Sequence, residues 1–386
     1  MDGEINNFIM VWTIAASTMA YCHTIGKLIS QGTSRLIALI PAIIILFLLP
    51  LRLNSIHLGG PSSFFIGWLS TFKLFLFAFN KGPLSTNPPL SLLHFISLSL
   101  LPIKFQNQPN INHNNNNNNN NNPSKTNIYK KDHKSKSKST LTYVSATMII
   151  ILALLIPLYS KKENFHPKFV LFLYSLHMYI GLEFFFALAS TFIRKLLSID
   201  LEPQFNKPYL STSLQEFWGK RWNISVNRVL HPTVYEPVVN FSTRWIGRKW
   251  APLPGILATF TMSAMMHEVI FYYIKREKRT WEAWEPSWDA MCFFILHGVC
   301  LVVQVGVKKV FGDKLRLPTV VSWLFTVVFV WCTALWLFVP ALVRCRLYEK
   351  ASRELNALTD FGKDVYHVAR VAFFFIWKKK EWVGIR

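Results

Sequence analysis

The sequence predicts an all-α polytopic membrane protein with about eight or nine transmembrane or re-entrant helices around an intramembrane chamber. Of its 386 residues, 51% are hydrophobic and only 16% are charged, compared with about 25% charged residues in an ordinary soluble domain. The apolar residues form long runs, and about 20 such residues in a helix span the hydrocarbon core of a bilayer. Each run is expected to be helical because irregular backbone cannot face lipid.

The apolar segments follow one another along the whole chain. They are Phe8–Tyr21, Leu36–Leu51, Phe64–Phe79, Leu90–Ile103, Leu141–Tyr159, Phe169–Leu197, Gly255–Ile274, Ala290–Val307 and Val320–Val343, with a weaker one at Val368–Trp377. The shortest of them are candidates for half-spans. The first is not expected to be a cleaved signal peptide, because Asp2 and Glu4 precede it where basic residues would stand.

Two polar stretches divide the chain. Residues 1–103 are predicted to form N-terminal membrane helices, and residues 104–140 a disordered loop with nine consecutive asparagines and a lysine-rich tract. Residues 141–386 are predicted to form the main membrane bundle. It includes an ordered loop, 200–253, whose aromatic residues and prolines favour short interfacial helices.

The net charge of +22 is concentrated between the apolar segments, so it indicates membrane orientation and not nucleic acid binding. Residues 104–138 hold seven lysines and one aspartate. The excess of positive charge predicts that this loop and the 200–253 loop face the cytosol. The five cysteines lie in or beside apolar segments without metal-ligand spacing, so neither a disulfide framework nor a metal site is expected.

A histidine inside an apolar run is the first candidate functional residue. Thr259, Ser263 and His267 recur every four residues and therefore share one face of the predicted helix. An ionisable side chain at this depth is costly unless it is paired or faces a polar cavity, which makes His267 a functional candidate. Glu268 lies about 100° away around the helix, so the two side chains are not expected to form a dyad.

The second constellation lies in the 200–253 loop, in the sequence SLQEFWGKRWNISVNRVLHPTVYEPVV. It contains two tryptophans, three cations and an amide: Trp218, Trp222, Lys220, Arg221, Arg228 and Asn223. One interpretation is an amphipathic helix with tryptophans at headgroup depth. The other is a site for an anionic, phosphate-bearing cosubstrate, and both hold if the helix lines a cytosolic entrance. His231 stands among prolines and is interpreted as a turn residue.

EFWGKRWN followed about forty residues later by SAMMHE resembles the signature of the membrane-bound O-acyltransferase (MBOAT) superfamily. HPTVYEPV, the chain length and the hydropathy profile are similar to its plant wax synthase branch, the long-chain-alcohol O-fatty-acyltransferases. The resemblance implies an endoplasmic-reticulum membrane enzyme that transfers a fatty acyl group from acyl-CoA to a long-chain alcohol. By the same resemblance, His267 matches the catalytic histidine of the family and Asn223 its essential asparagine.

This chemistry suits the residue types. A neutral imidazole at His267 can take the alcohol proton as general base, and Asn223 can hold the acyl carbonyl or orient the hydroxyl. Acyl-CoA is a cosubstrate, and no further cofactor or metal is expected. Lys220, Arg221 and Arg228 are candidate partners of the CoA phosphates, with Trp218 and Trp222 beside them. Ser263 either lines the acceptor tunnel or bonds to its own helix.

Other functions stay open at this point. Within the enzyme class, the acceptor could be a sterol or a diacylglycerol, since tunnel shape decides between them. A secondary transporter would also place histidines and carboxylates in the membrane, but the sequence shows no inverted repeat. A non-catalytic membrane scaffold would be favoured if His267 proved dispensable.

Overall fold

A computed structural model of the protein describes residues 3–102, 161–197, 203–276, 285–315 and 317–354, with residues 356, 357 and 370 and parts of 147–159. Regular structure in these ranges is helical, in agreement with the predicted all-α class. The loop 104–140, most of the segment Leu141–Tyr159 and nearly all of Val368–Trp377 lie outside the described residues.

We number the principal helices of the described ranges in chain order. They are α1 Glu4–Leu28, α2 Thr33–Arg52, α3 Ile56–Ala78, α4 Leu92–Leu100, α5 Pro167–Leu197, α6 Ile224–Leu230, α7 Glu236–Trp250, α8 Pro252–Lys275, α9 Trp288–Phe311 and α10 Thr319–Arg344. Seven of them, α1, α2, α3, α5, α8, α9 and α10, are long and apolar enough to cross a membrane.

The predicted segment Leu90–Ile103 forms only the nine-residue helix α4. At 1.5 Å per residue it is about 14 Å long, which is half of a bilayer core. Its residues Phe95 and Leu98 belong to the apolar core that α1 and α2 also form. The described ranges therefore contain seven helices that are long enough to span and one of about half that length, where the sequence predicted eight or nine helices in all.

Helix α3 is the interior helix of the bundle. Of its most apolar 18 residues, 78% are buried, whereas the corresponding shares in the other six spanning helices range from 11% to 39%. A position with protein on all sides suits a helix that supplies walls to an internal site. The other six helices leave much of their apolar surface for lipid.

Three buried cations each bind the carbonyl end of a neighbouring helix. Arg35 of α2 caps α1, Lys73 of α3 caps α4, and Lys350, which follows α10, caps α8. Their acceptors are the carbonyls of Gly26 and Ile29, of Leu98 and Leu101, and of Ile274, Lys275 and Arg276. A positive charge at a helix C-terminus satisfies the orphan carbonyls and is favoured by the helix dipole.

Helix α8 is held tightly between α7 and α9 by two glycines. A Cβ atom on Gly298 of α9 would lie 2.8 Å from Cβ of Phe260, and one on Gly255 would lie 2.7 Å from Cγ2 of Val239 in α7. Real Cβ atoms do not approach other atoms so closely, so these glycines permit the observed helix separations. The half of the chain that carries both sequence motifs is thus closely packed.

Residues 203–251 form a succession of short helical turns that leads into α6 and α7. The segment is tied together by backbone hydrogen bonds from Ile224 to Gln204 (3.0 Å) and from Asn206 to Arg221 (2.9 Å). The interpretation of His231 as a turn residue was wrong. It begins a π-helical turn, His231–Tyr235, which connects α6 to α7.

Candidate active site

His267 lies in the middle of α8, half-buried, with its ring fixed by its own helix. Nδ1 lies 2.7 Å from the carbonyl oxygen of Ser263, one turn earlier. Because a carbonyl only accepts, Nδ1 donates its proton, and the neutral ring then carries its lone pair on Nε2. Ser263 therefore orients His267 through its backbone, while its side chain stays on the same helix face. No residue in the described ranges forms a hydrogen bond with Nε2.

Aromatic side chains from three other helices surround the His267 ring. Phe294 of α9 is nearest, with ring centroids 4.1 Å apart, and Trp68 of α3 meets it edge-on at 5.2 Å. Phe338 of α10 lies at 5.9 Å. These rings pack around the imidazole and give it an apolar environment. We call this group, His267 with Trp68, Phe294 and Phe338, the aromatic chamber.

The tryptophan-rich motif reaches the aromatic chamber through Phe294. The Trp218 ring lies 6.1 Å from Phe294 and 6.4 Å from Trp222. Trp222 stacks on Phe217 at 5.5 Å. The structure thus brings together the two motifs, which are separate in sequence, with Phe294 between Trp218 and His267.

Asn223 adopts the left-handed conformation, with φ 43° and ψ 63°, immediately before α6. Asparagine tolerates this conformation better than most residues. Its backbone oxygen accepts from the amides of Val226 and Asn227, whereas its side-chain Oδ1 is buried and has no hydrogen-bond partner. Since buried polar atoms are normally paired, this oxygen is free to accept a hydrogen bond from another molecule.

Helix α6 brings Asn223 towards the aromatic chamber. Val226 and Leu230 pack in one apolar cluster with Trp68 and Met266. Trp68 is itself a wall of the chamber, and Met266 precedes His267. Both predicted catalytic residues therefore lie on elements that share one packed cluster.

Arg221 is engaged inside the loop. Its Nε and Nη2 donate to one carboxylate oxygen of Glu216, at 2.9 and 2.7 Å, and its Nη1 donates to the carbonyls of Asn206 and Lys207. The other oxygen of Glu216 accepts from the amide and hydroxyl of Thr212. Burial by itself would raise the pKa of Glu216, but these hydrogen bonds hold that pKa below its ordinary value.

Of the three cations predicted beside the tryptophans, Arg221 therefore orders the loop. Lys220 and Arg228 are both exposed at the surface of the motif segment. Those two positions suit a long anionic ligand that approaches from solvent.

No hydrogen bond joins Glu268 to His267 within the described ranges, and the partner of Glu268 is a backbone amide. The carboxylate is buried, and Oε2 accepts from the backbone amide of Ser287 at 2.6 Å. This amide stands immediately before α9, so Glu268 caps the N-terminus of that helix. Among the described residues there is also no group of three or more histidine, cysteine, aspartate or glutamate side chains placed to hold a metal ion.

Comparison with known proteins decides the family. The sequence profile of the membrane bound O-acyl transferase family matches residues 201–296, which contain both motifs. A long-chain-alcohol O-fatty-acyltransferase of Simmondsia chinensis is 41% identical over 346 residues, 89% of this chain and 92% of that protein. The chain belongs to the membrane-bound O-acyltransferase family.

Two proteins of Arabidopsis thaliana are also similar to this acyltransferase over most of its length. Acyl-CoA--sterol O-acyltransferase 1 is 39% identical over 93% of this chain and 97% of its own length. Probable long-chain-alcohol O-fatty-acyltransferase 1 is 35% identical over 94% of this chain and 98% of its own length. No solved structure matches the chain.

Sequence reasoning missed several residues around the site of this acyltransferase. Trp68 and Phe338 gave no signal, since each lies in an apolar run that satisfies helix and membrane requirements by itself. Phe294 is one of 32 phenylalanines, so the sequence does not indicate which of them contacts His267. His297 does carry a signal, since it is an ionisable residue within the predicted segment Ala290–Val307.

Proposed function

We propose that this acyltransferase makes wax esters, by moving a fatty acyl group from acyl-CoA to a long-chain fatty alcohol. The observation that carries the proposal is the Nε2 lone pair of His267, oriented by the Nδ1 bond to Ser263, together with the buried, unpaired Oδ1 of Asn223, which precedes a helix of the same packed cluster. The name of the 41% identical relative supports the choice of a long-chain alcohol as acceptor. The enzyme is expected to act in the endoplasmic reticulum membrane, without metal or cofactor.

In this mechanism His267 is the general base. Nε2 takes the proton from the alcohol hydroxyl as its oxygen attacks the thioester carbonyl. The C–O bond forms, the C–S bond breaks, and CoA leaves as a thiolate that recovers the proton from His267. The hydrogen bond from Nδ1 to the carbonyl of Ser263 keeps the ring in the orientation and tautomer that this step needs.

The amide of Asn223 has two possible contacts with the reactants. Its NH₂ group can donate to the oxygen that becomes negative as the carbonyl is attacked, or its oxygen can orient the acceptor hydroxyl. Lys220 and Arg228, on the exposed side of the same segment, would meet the CoA phosphates, and Trp218 and Trp222 the acyl end of the cosubstrate.

A second acceptor class has specific support. One relative of 39% identity carries the name acyl-CoA--sterol O-acyltransferase, so a sterol is the competing acceptor. Both reactions use the same base and the same leaving group, and they differ only in the shape of the acceptor alcohol.

The test uses microsomes from a host that lacks neutral-lipid synthesis. They receive labelled acyl-CoA together with a fatty alcohol, a sterol or diacylglycerol, and the labelled esters are separated. Wax ester formation that His267→Ala abolishes is the expected result. Sterol ester as the main product would overturn the assignment of the acceptor, and no ester with any of the three would overturn the proposed function.

A further inference from the structure

His297 of α9 lies outside both motifs, yet it forms one continuous chain of hydrogen bonds. The indole N–H of Trp218 donates to His297 Nδ1 at 3.1 Å, and His297 Nε2 lies 2.8 Å from the hydroxyl of Thr333 in α10. The Thr333 hydroxyl in turn donates to the carbonyl of Phe329 at 2.8 Å. The chain links the motif segment to two spanning helices.

The direction of every bond in this chain is fixed by its two ends. An indole N–H can only donate and a carbonyl can only accept. His297 must therefore accept at Nδ1 and donate at Nε2, as a single neutral tautomer. Its side chain is fully buried, with no exposed surface, so water cannot replace either partner. Loss of His297 would leave the Trp218 N–H unpaired in an apolar interior.

The backbone around His297 is placed with equal precision. Gly298, the next residue, allows α9 to approach Phe260 of α8 closely enough that a Cβ would lie 2.8 Å from the Phe260 Cβ. Phe260 also meets the Trp218 ring edge-on, at 5.5 Å between centroids. The ring of Trp218 is thus fixed at its nitrogen by a hydrogen bond and along its edge by helix packing.

We propose that His297 is a positioning residue for the acyl transfer reaction, acting through Trp218. By holding the indole in place, it keeps Phe294 against the His267 ring, at 4.1 Å, and so keeps the chamber wall and the base aligned. This inference rests on the proposed role of His267. It assigns a task to an intramembrane histidine that has no contact with the reacting atoms.

A histidine that merely fills the core makes a different prediction from one that acts through Trp218. If His297 only fills the core, its replacement should lower kcat by the same factor whatever residue stands at position 218. If His297 acts through Trp218, its replacement should have little further effect on kcat once the indole N–H is absent. A double-mutant cycle with Trp218→Phe separates the two, because it measures the coupling between the side chains.

The experiment measures kcat and the KM for acyl-CoA in microsomes, at equal protein abundance. His297→Leu should lower kcat about tenfold, equivalent to about 1.4 kcal/mol, and any rise in the KM for acyl-CoA should be smaller than that fall, because His297 itself touches neither substrate. His297→Gln, which can accept and donate in the same places, should restore most of the rate. In the Trp218→Phe background, the further loss from His297→Leu should fall below about twofold.

Thr333 supplies a milder variant if His297→Leu does not accumulate. Thr333→Val removes the hydroxyl at nearly constant volume and should lower kcat in the same direction, with Thr333→Ser as the matched control. An equal loss from His297→Leu in both backgrounds, or an unchanged kcat, would overturn the positioning role. His267→Ala is assayed beside these variants. If it is inactive while His297→Leu is fully active, the positioning role alone fails, and if it is active, the role of His267 fails.

Discussion

His267→Ala gives the most direct test of the chamber. General-base assistance is worth about 10²–10⁴-fold in rate, which corresponds to about 2.7–5.5 kcal/mol of transition-state stabilisation. The structural loss is smaller, since the hydrogen bond of Nδ1 lies within α8 and is worth about 1 kcal/mol. The nearest aromatic contact, with Phe294, adds about 0.5–1.5 kcal/mol. The variant should therefore accumulate in membranes while its turnover falls at least a hundredfold.

The assay is the formation of labelled wax ester in microsomes, normalised to the amount of enzyme on an immunoblot. His231→Ala is the matched control, because the His231 side chain is half-exposed, pairs with Glu236 and is not one of the rings that contact His267. It should retain full activity. If His267→Ala keeps activity within tenfold of the unmodified enzyme at equal abundance, the general-base mechanism is refuted.

Three further predictions concern the motif segment. Lys220→Ala should raise the KM for acyl-CoA about threefold, as expected of one exposed ionic contact. Arg221→Ala should also lower the abundance of the protein, because it opens the loop. A change in the KM for the alcohol alone would place Lys220 on the path of the acceptor. Asn223 and Asn240 both begin N-glycosylation sequons, and Asn240 is exposed. If the segment is cytosolic, endoglycosidase should not change the mobility of the protein, whereas it should change that of a variant with an engineered lumenal sequon. A mobility shift that is lost in Asn240→Gln would put the segment in the lumen. Because the pKa of Glu216 is lowered, its carboxylate stabilises the fold above its ordinary pKa and loses this effect as the pH falls through the lowered value; thermal unfolding should therefore show a shallower acid dependence in Glu216→Gln, and equal slopes would contradict the role of the ion pair.

The sequence by itself determined the class of fold and the two motifs of the site. Long apolar runs in a chain with few charges leave helices as the way to satisfy the backbone in lipid, so the spanning segments could be located directly. His267 could be singled out because an ionisable residue within such a run is costly. Trp218 could be singled out by its spacing from Trp222 in a basic segment, and Asn223 by the resemblance of that segment to the family motif.

Tertiary structure decided which side chains surround these residues. Trp68 stands 199 positions before His267, and no local pattern relates the two, since both satisfy the periodicity of their own helices. The partner of Arg221 could not be predicted from sequence either, because both Glu216 and an anionic ligand could pair with it. Only the folded loop shows the two hydrogen bonds from Arg221 to Glu216.

His297 illustrates the same limit. Its position within a predicted spanning segment does not by itself distinguish a catalytic role from a place in the core. Its partners, Trp218 and Thr333, come from segments 79 and 36 residues away, so only the packed bundle could supply them. Hydrophobic patterning specifies which residues leave water, whereas hydrogen bonds between distant helices depend on how the helices meet.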